Sequence, residues 1–443
     1  MNILFLTMSN MRDISTHGIY ADLMRKFQDE GRHVSIMSPR ERRTGIKTNL
    51  QTIDGVDILG VRTLNLQKTN AIEKGIGQVL VESQFKKAFR KYFKGRKFDL
   101  ILYSTPPITF PKVIQYAKKL NPKAMTYLLL KDIFPQNAVD LGMMVDKLNV
   151  NADDNANRGV LKFPVRLVKF LLYRKFRKKE KTLYALSDSI GCMSPANVRY
   201  VIEHNPEVDP SKVEVAPNSY AVVDDNVNDN DNLNVNDNDN KIREKYGLPV
   251  DKPIFIYGGN MGKPQGIPFL IECLKANKDR EDCHFVIVGD GTEYPKLNAW
   301  VQATQPKAVS LFRKLPKEDY DALANACDVG LIFLDYRFTI PNYPSRLLPY
   351  LMSRKPIIAA TDPNCDTGTI AEQNGYGFYC PSNSVEAFTA TVDKMLQSDI
   401  KAMGEKGYQF FLNNYTVEHT YKAIVHHFND NHNVNVKYDG REE

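Results

Sequence analysis

The sequence predicts an α/β protein with two doubly wound parallel sheets, one in each half of the chain. Short apolar runs of strand length alternate with helical patterns along both halves. At 443 residues the chain is longer than one hydrophobic core usually serves. An Asn/Asp-rich stretch, Asp224–Asn240, lies between the halves. Hydrophobic residues make up 42% and charged residues 25% of the chain, which is ordinary for a globular protein.

The first domain is predicted to cover residues 1–218 and to begin with a buried strand. The apolar run at the N-terminus lacks the basic region and the small-residue cleavage site of a signal peptide, so we interpret it as a strand. Strands are expected at Ile3–Thr7, Val34–Met37, Leu100–Tyr103, Thr126–Leu130 and Ser189–Met193. Helices are expected at about His17–Glu30, Ala71–Lys94, Pro111–Leu120 and Val165–Leu186.

Residues 219–241 are predicted to be a linker. Their Asn/Asp composition offers too little apolar surface to fold. The Asp-x-Asp spacing lacks the turn glycine and the closing glutamate of a calcium loop, so a disordered acidic linker is favoured over a calcium site.

The second domain is predicted at residues 242–412, followed by a helix and a polar tail at 413–443. The strand signals are apolar runs, and the helical segments between them have the usual apolar periodicity. Strands are expected at Pro253–Asn260, His284–Val288, Val309–Phe312, Val329–Phe333, Ile357–Ala359 and Gly377–Cys380. Helices are expected at Ile267–Ala276, Tyr294–Thr304, Lys317–Ala326, Ser345–Ser353 and Val385–Gln397.

Cysteine usage and hydropathy limit where the protein can work. The six cysteines show neither a CxxC pair nor metal-ligand spacing, which is typical of a reducing compartment. No stretch approaches the roughly 20 apolar residues of a membrane-spanning helix.

A strand, a glycine turn and a later helix suggest a phosphate site in the second domain. The strand Phe285–Val288 runs into Gly289-Asp290-Gly291, and the loop Pro344-Ser345-Arg346 leads into a helix. Glycine lets backbone N–H groups approach an anion, and a helix N-terminus attracts it. This position favours a sugar-nucleotide enzyme. A nicotinamide dehydrogenase would need glycines after the first strand, where Met8–Met11 has none.

An ordered series of short motifs extends this pattern over both domains. The series comprises Ser104-Thr105-Pro106-Pro107, Lys131–Gly142, Asp188–Pro195, Ala216-Pro217-Asn218, Gly259–Gly266, Gly289-Asp290-Gly291, Ala326–Gly330 and Pro344–Leu347. It resembles the retaining glycosyltransferases of the family-4 type, and above all the branch that builds bacterial capsule and O-antigen repeat units. The resemblance covers roughly residues 1–218 and 242–400.

Two departures from the family pattern concern the donor site. Asn260 and Gln265 stand where most relatives have Arg and Lys, although the branch often has Asn. Relatives also carry a Glu-x7-Glu pair, and here both aligned positions are proline, Pro341 and Pro349. In relatives the second of those glutamates typically contacts the ribose, and here Pro349 takes its place.

The resemblance implies a GT-B fold, with two doubly wound Rossmann-like domains facing a central cleft. It implies transfer of a sugar from a nucleotide-sugar donor, with a UDP-sugar as the expected donor. The acceptor would be lipid-linked, on a polyprenyl diphosphate, or a polysaccharide, in cell-surface polysaccharide biosynthesis. No cofactor and no metal are expected, because no Asp-x-Asp lies at the end of a folded strand.

Cations and backbone N–H groups are expected to hold the donor diphosphate, since negative charge develops there as the bond breaks. Arg346 suits phosphate through its bidentate fork, and the alternative is a structural arginine at a helix start. Ser345 could bind phosphate or cap the helix. The predicted donor residues are Gly259, Asn260, Lys263, Gly289, Asp290, Gly291, Ser345 and Arg346; for the glycines, a tight turn is the alternative.

The predicted catalytic residues, Asp132 and His17, follow strands of the first domain. Asp132 could orient or deprotonate the acceptor, and the alternative is an N-cap of the next segment. His17 and Gly18 begin the first helix, after a loop that touches the diphosphate in relatives; a plain helix start is the alternative. Ser104 and Pro106 are expected to line the acceptor loop.

Two basic runs suggest contact with an anionic membrane surface. Residues 86–97 contain no acid, and residues 162–181 combine nine Lys/Arg with one Glu and an apolar face. The predicted contacts are Lys169, Arg174, Lys175, Arg177 and Lys178, and a core-packed helix with a solvated basic face is the alternative. We therefore expect peripheral binding to the inner face of the cell membrane and no nucleic-acid partner, since no recognised binding motif occurs.

Two other functions fit parts of the pattern. A GT-B sugar-nucleotide epimerase would share the donor site, but it needs no membrane acceptor and so leaves the basic amphipathic helix unexplained. A catalytically silent scaffold in polysaccharide assembly would explain Pro341 and Pro349, but it would not need the glycine loops or Arg346.

Overall fold

The computed structural model describes residues 1–66, 71–106, 108–148, 159–222 and 235–436. The chain divides into two compact units. The first comprises Met1–Ala221 together with Thr416–Glu443, and the second comprises Val222–Tyr415. Both are layered α/β structures, so the predicted fold class of two doubly wound Rossmann-like units is confirmed.

The strands of the first unit form one sheet in the order β3-β4-β2-β1-β5-β6-β7-β8. Neighbouring strands are parallel except for the β3–β4 pair. The central strands are apolar over their whole length because helices cover both faces. The strands are β1 (Asn2–Leu6), β2 (His33–Glu41), β3 (Asn49–Ile53), β4 (Val56–Thr63), β5 (Leu100–Ser104), β6 (Met125–Leu130), β7 (Ser189–Cys192) and β8 (Val213–Val215).

The helices of the first unit form two layers. Phe85 and Phe89 are fully buried in the cluster under one face of the sheet, and Phe27 is fully buried in the cluster under the other. The helices are α1 (Ile19–Asp29), α2 (Ala71–Tyr92), α3 (Pro111–Leu120), α4 (Gln136–Asp140), α5 (Gly159–Leu186), α6 (Pro195–His204) and, from the end of the chain, α15 (Val417–Val436).

The second unit is built on a fully parallel sheet in the order β11-β10-β9-β12-β13-β14. Its strands are β9 (Ile254–Asn260), β10 (His284–Asp290), β11 (Val309–Arg313), β12 (Val329–Phe333), β13 (Ile357–Thr361) and β14 (Gly377–Pro381). Its helices are α7 (Val235–Lys245), α8 (Ile267–Ala276), α9 (Tyr294–Thr304), α10 (Lys317–Asn325), α11 (Leu347–Met352), α12 (Thr367–Gln373), α13 (Val385–Leu396) and α14 (Ile400–Asn414).

Part of the predicted linker is helical, which corrects the expectation for residues 235–241. The helix α7 begins inside the Asn/Asp-rich stretch and is anchored by Arg243, which is 9% exposed. The Arg243 side chain donates to the Ala326 carbonyl at 2.8 Å and pairs with Asp328 at 2.8 Å. These tertiary contacts stabilise a helix that composition alone disfavours. Residues 223–234 lie outside the described residues.

Several elements were not predicted from the sequence. The β3–β4 hairpin turns at Asp54-Gly55, where both residues have positive φ angles of 48° and 79°. An Asp-Gly pair between two strands is a strong hairpin signal, so this element could have been found. The elements β8, α4, α6, α12 and α14 were also not predicted.

All six cysteines are unpaired and buried. Among the residues that the structure describes, no helix is both long and apolar enough to cross a membrane. In the same part of the chain, no three His, Cys, Asp or Glu side chains are grouped so that they could hold a metal ion.

Candidate functional site

The two predicted glycine loops of the second unit lie side by side. The strands β9 and β10 pair in parallel, so Gly259 lies opposite Gly289 and Asn260 opposite Asp290. Both loops therefore leave the carboxyl edge of the sheet, where open α/β folds bind ligands. The structure thus brings these predicted residues together.

Close approach of the two loops accounts for two of the glycines. A Cβ atom on Gly289 would lie 1.9 Å from the Gly259 carbonyl oxygen, and one on Gly291 would lie 2.4 Å from the Met261 carbonyl oxygen. Gly259 differs from both. It is exposed, its φ is 123°, and the nearest atom to a Cβ there is Arg346 Nη2 at 3.6 Å. Open space next to an arginine is suited to an anion.

Arg346 stands beside Gly259 with an unused donor. Its guanidinium lies over the ring of Tyr257, 4.4 Å from the ring centroid. The Nη1 atom is buried and has no hydrogen-bond partner among the residues that the structure describes. A buried polar group without a partner is unfavourable, so this donor is well placed for an oxygen supplied by a ligand. The sequence prediction for Arg346 therefore gains a geometric basis.

Three tyrosines that the sequence analysis did not single out surround this arginine. Tyr257 forms the face under the guanidinium and donates its hydroxyl to the Asn260 carbonyl at 2.8 Å. Tyr350 donates to the Ile256 carbonyl at 3.1 Å and accepts from the Gly258 N–H at 3.3 Å. A Cβ on Gly258 would collide with the hydroxyl oxygen of Tyr320 at 1.8 Å. The sequence signal that could have indicated these tyrosines is a hydroxyl-bearing ring within an otherwise apolar segment.

Gln265 organises the loop after β9. Its Oε1 atom accepts from the Gly262 N–H and from Asn260 Nδ2, both at 3.1 Å. Gly266 then takes a positive φ of 56°, and α8 starts at the next residue. Lys263 is exposed on this loop and makes no ion pair within the described chain. Gln265, which stands where most relatives have Lys, thus has a structural function in this loop.

The remaining predicted donor residues are at the same edge. Asp290 accepts the N–H of Gly291 at 2.9 Å, which shapes the turn. Ser345 is exposed and does not cap α11, because Arg346 occupies the N-cap position. Of the two prolines at the Glu-x7-Glu positions, Pro349 lies exposed within α11 and Pro341 is buried.

In the first unit, Asp132 follows β6 at the carboxyl edge and is half-buried. Asn137 Nδ2 donates to its Oδ1 at 2.7 Å. Burial raises the pKa of Asp132 to about 6, although the Asn137 hydrogen bond opposes the rise. The N-cap position of α4 is Pro135, with no side-chain cap, so Asp132 does not cap that helix. A carboxyl group that titrates near neutral pH is suited to proton transfer.

Lys131, which the sequence analysis did not single out, neighbours this carboxyl. Its ammonium donates to the Ala216 carbonyl at 2.8 Å. Burial lowers the pKa of Lys131 to about 7. The Lys131 and Asp132 N–H groups both donate to Thr105 Oγ1, at 2.9 and 3.3 Å, which holds the β6 end against the loop after β5.

The start of α1 already holds a carboxylate. Gly18 donates its N–H to Asp22 Oδ1 at 3.2 Å, and the Ala221 N–H donates to Asp22 Oδ2 at 2.9 Å. Asp22 is 1% exposed and also pairs with Arg25. His17 is exposed, with Nδ1 3.6 Å from the same carboxylate. The Gly18 N–H therefore has a partner within the protein, which favours a structural function for it.

The other acceptor-side residues differ in accessibility. Ser104 is 2% exposed at the end of β5, whereas Pro106 is exposed after a cis peptide bond. Pro107 of the same motif lies outside the described residues.

The predicted membrane contacts on α5 divide into two groups. Arg174, Lys175 and Lys178 are exposed. Lys169, in contrast, donates to the Gly142 carbonyl at 2.9 Å. Arg177 pairs with the buried Glu180 and donates to the His204 carbonyl at 3.0 Å. These two side chains are used by the fold itself, which the basic pattern of the sequence could not reveal.

Most of the second unit matches the model of a known protein family. Residues 238–410 match the family model described as Glycosyl transferases group 1. This segment is therefore similar to the group 1 glycosyltransferases. The candidate donor site, from Gly259 to Arg346, lies entirely within it.

Known proteins resemble the chain over both units. It is 22% identical over 353 residues to the probable glycosyltransferase WbjE of Pseudomonas aeruginosa, covering 76% of this chain and 75% of that protein. The putative colanic acid biosynthesis glycosyl transferase WcaI of Escherichia coli K12 is 27% identical over 159 residues, 35% of this chain and 38% of that protein. The structure of Anabaena Alr3699/HepE in complex with UDP-glucose gives a TM-score of 0.63 at 12% identity, covering 97% of this chain and 100% of that chain. This structural likeness supports the GT-B fold class.

Proposed function

We propose that the protein is a retaining glycosyltransferase that moves a sugar from a UDP-sugar to a lipid-linked or polysaccharide acceptor. It would act in cell-surface polysaccharide biosynthesis, at the cytoplasmic face of a bacterial cell membrane. The group 1 family match supports sugar transfer. The name of the colanic acid relative and the UDP-glucose complex of the Anabaena protein support the pathway class and the donor. The sequence resemblance to family-4-type enzymes supports retention.

The observation that carries the proposal is the unpartnered donor of Arg346 beside Gly259. When the glycosidic bond breaks, negative charge accumulates on the departing diphosphate. A fixed guanidinium stabilises that charge without having to reorganise. Tyr257 holds the guanidinium in place, and the exposed Gly259 leaves room for the diphosphate. Lys263, exposed on the adjoining loop, would add a second cation.

At the acceptor, we propose that Asp132 takes the proton of the attacking hydroxyl. With a pKa of about 6 its ionised form is available at neutral pH, yet it is basic enough to accept a proton. Nothing in this proposal requires a metal or a cofactor.

Donor binding is tested by thermal shift of the purified chain with UDP, GDP, TDP and CMP. A ligand that binds only the folded state raises the unfolding midpoint by mass action. We expect a rise with UDP that is lost in Arg346→Ala. Lys307→Ala is the matched control, because this exposed cation precedes β11 at the opposite edge of the sheet. It should respond to UDP like the wild type.

Absence of a shift with every nucleotide would make the catalytically silent scaffold the better explanation. Pro341 and Pro349 favour that function, since they replace the glutamate pair of relatives. A shift with UDP, followed by interconversion of the sugar without any transfer, would instead indicate the epimerase. The group 1 glycosyltransferase match argues against both.

A further inference from the structure

Exposed apolar side chains are concentrated on one part of the first unit. Of the twelve large hydrophobic side chains that are exposed among the described residues, eight lie on α2, on α5 or in the loop after α4. On α5, Val165, Val168, Leu171 and Leu172 are 58%, 55%, 53% and 41% exposed. Their spacing of three and four residues makes them one stripe along the helix. A contiguous exposed apolar stripe marks an interaction surface.

The helix α2 carries a second, shorter stripe. Ile76, Val79 and Leu80 are 51%, 58% and 40% exposed. Val81, the next residue, is 1% exposed in the core, so this helix has one face inside and one outside. The exposed apolar residues of α2 again follow helical spacing.

The two stripes belong to the same helix layer. Glu82 of α2 pairs with Lys179 of α5 at 3.1 Å and accepts the N–H of Lys112, in the first turn of α3, at 2.8 Å. This link joins α2 and α5 across the start of α3, which packs against both helices. Both helices run from the carboxyl edge of the sheet to its amino edge, since each precedes a parallel strand. The stripes precede the link in each helix, so both lie towards the carboxyl edge.

Contacts of α5 place its stripe next to the candidate catalytic loop. Phe176 packs against Phe134, two residues after Asp132, with ring centroids 5.2 Å apart. Lys169, within the stripe, holds the Gly142 carbonyl, and the next residue, Met143, is itself 49% exposed. The apolar surface therefore adjoins the loop that carries Asp132.

The exposed charges that α2 and α5 themselves carry among the described side chains are positive. Arg174, Lys175 and Lys178 are exposed on α5, and Lys86, Lys87, Arg90 and Lys91 are exposed on α2. The acids of α2 and α5 are Glu73, Glu82 and Glu180; all three are paired and none is exposed. A groove of about 710 Å³ along α5 is lined by the cations Arg174, Lys178 and Lys181, by the apolar parts of Tyr173 and Ala185, and by Glu207, which pairs with Lys181. Apolar side chains flanked by cations are complementary to an anionic bilayer.

We propose that the stripes of α2 and α5, with Met143, form a lipid-facing surface that docks the first unit on an anionic bilayer. Docking would hold the Asp132 loop at the level of the headgroups. The identity of the bilayer lipid as the carrier of the acceptor rests on the proposed function; the docking itself does not. The surface extends the one predicted from the sequence, because it adds the apolar side chains of α2 to the basic run on that helix and excludes the fold-bound side chains of Lys169 and Arg177.

The test is co-sedimentation of the full chain with vesicles of phosphatidylcholine alone or mixed with phosphatidylglycerol. We expect binding only to the anionic vesicles, weakened by high salt. The pair Val168→Asp with Leu171→Asp, and separately the pair Val79→Asp with Leu80→Asp, should each weaken binding by about tenfold or more. These side chains are exposed, so the fold should tolerate the changes. Arg174→Ala and Lys178→Ala should each weaken binding by about fivefold.

The matched control is Val250→Asp with Gln302→Asp, which adds the same charge at exposed positions of the second unit. It should bind vesicles like the wild type. Equal loss in this control would overturn the proposal, as would a wild-type chain that ignores anionic vesicles. A dimer in solution that Val168→Asp dissociates would assign the surface to a second copy instead. Glycerophosphate that competes fully with vesicles would indicate a phosphate site without membrane docking. The UDP shift should be unchanged in all these variants, which separates this result from the donor test.

Discussion

At the residue scale, the type of a side chain sets which functions it could perform, and its environment decides which of them it performs. Arg346 could be recognised from the sequence as an arginine in a loop before a helix. Its unused Nη1 donor and the Tyr257 ring beneath it depend on contacts between β9 and the α11 loop. These elements are far apart in the chain, so no local pattern could indicate the contact. For Ser345 beside it, the structure excludes the alternative function of a helix cap, because Arg346 occupies the N-cap position.

We expect the pH dependence of the reaction to follow the ionisation of Asp132. The ionised form is the proposed base, so the rate should rise as the pH increases through about 6. Asp132→Asn should lower kcat by about 10²-fold or more. Asn137→Ala removes a hydrogen bond that favours the ionised carboxylate, so the acid limb of the pH–rate profile should move to higher pH.

Steady-state kinetics between pH 4.5 and 8 on the wild type and both variants would check this, with Asp29→Asn, an exposed carboxyl at the end of α1, as the control. A purely structural Asp132 would leave the profile of Asn137→Ala in place and change only its height. That result would remove Asp132 from the proposed mechanism.

At the scale of elements, the glycines of the second unit show how strand geometry restricts the sequence. Gly289 and Gly291 are required because two neighbouring loops nearly touch, whether or not a ligand is present. The sequence alone favours diphosphate binding for these glycines, with a tight turn as the alternative. Sequence separation conceals such packing, because Gly289 meets Gly259 only once β9 and β10 have paired.

We expect a larger residue at Gly258 to destabilise the second unit. In Gly258→Ala the new methyl would overlap the ring of Tyr320, with Cζ only 2.4 Å away. Tyr320 must then move, and overpacking of this kind costs about 1–3 kcal/mol. Urea unfolding should show the loss in the second unit. Gly95→Ala is the control, since no atom lies within 4 Å of its added Cβ. Equal stability of the two variants would mean that Tyr320 adjusts freely.

At the scale of the whole molecule, the chain returns to its first unit at the end. The helix α15 follows the second unit in sequence but packs against α1. Tyr421 stacks edge-on against Phe27 with centroids 5.1 Å apart, and Ile424 is fully buried. Lys26 pairs with Glu418 at 2.6 Å. The sequence predicts a helix here, but its local pattern does not indicate where that helix packs.

This packing leads to a prediction on the separate stability of the two units. Ile424→Ala removes a fully buried side chain from the core of the first unit and should cost about 2–5 kcal/mol. The single tryptophan, Trp300, lies in α9 of the second unit and reports on that unit alone. Far-UV circular dichroism should therefore show an earlier transition, whereas tryptophan fluorescence should keep its wild-type midpoint.

Lys422→Ala, at an exposed position of the same helix, should leave both signals unchanged. An earlier fluorescence transition in Ile424→Ala would contradict the assignment of α15 to the first unit.

The sequence by itself determined the α/β class, most strands of both sheets and the order of the glycine and arginine loops. Apolar runs and helical periodicity are local properties, and a buried parallel strand such as Phe285–Val288 shows them directly. The hairpin at Asp54-Gly55 could also have been predicted from the sequence, because an Asp-Gly pair between two strands favours such a turn. Only the tertiary structure decided which cations of α5 are free to contact a membrane. Lys169 donates to the Gly142 carbonyl, and Arg177 donates to the His204 carbonyl and pairs with Glu180. The tertiary structure also decided that Arg346 meets Gly259, since such contacts depend on how distant segments pack.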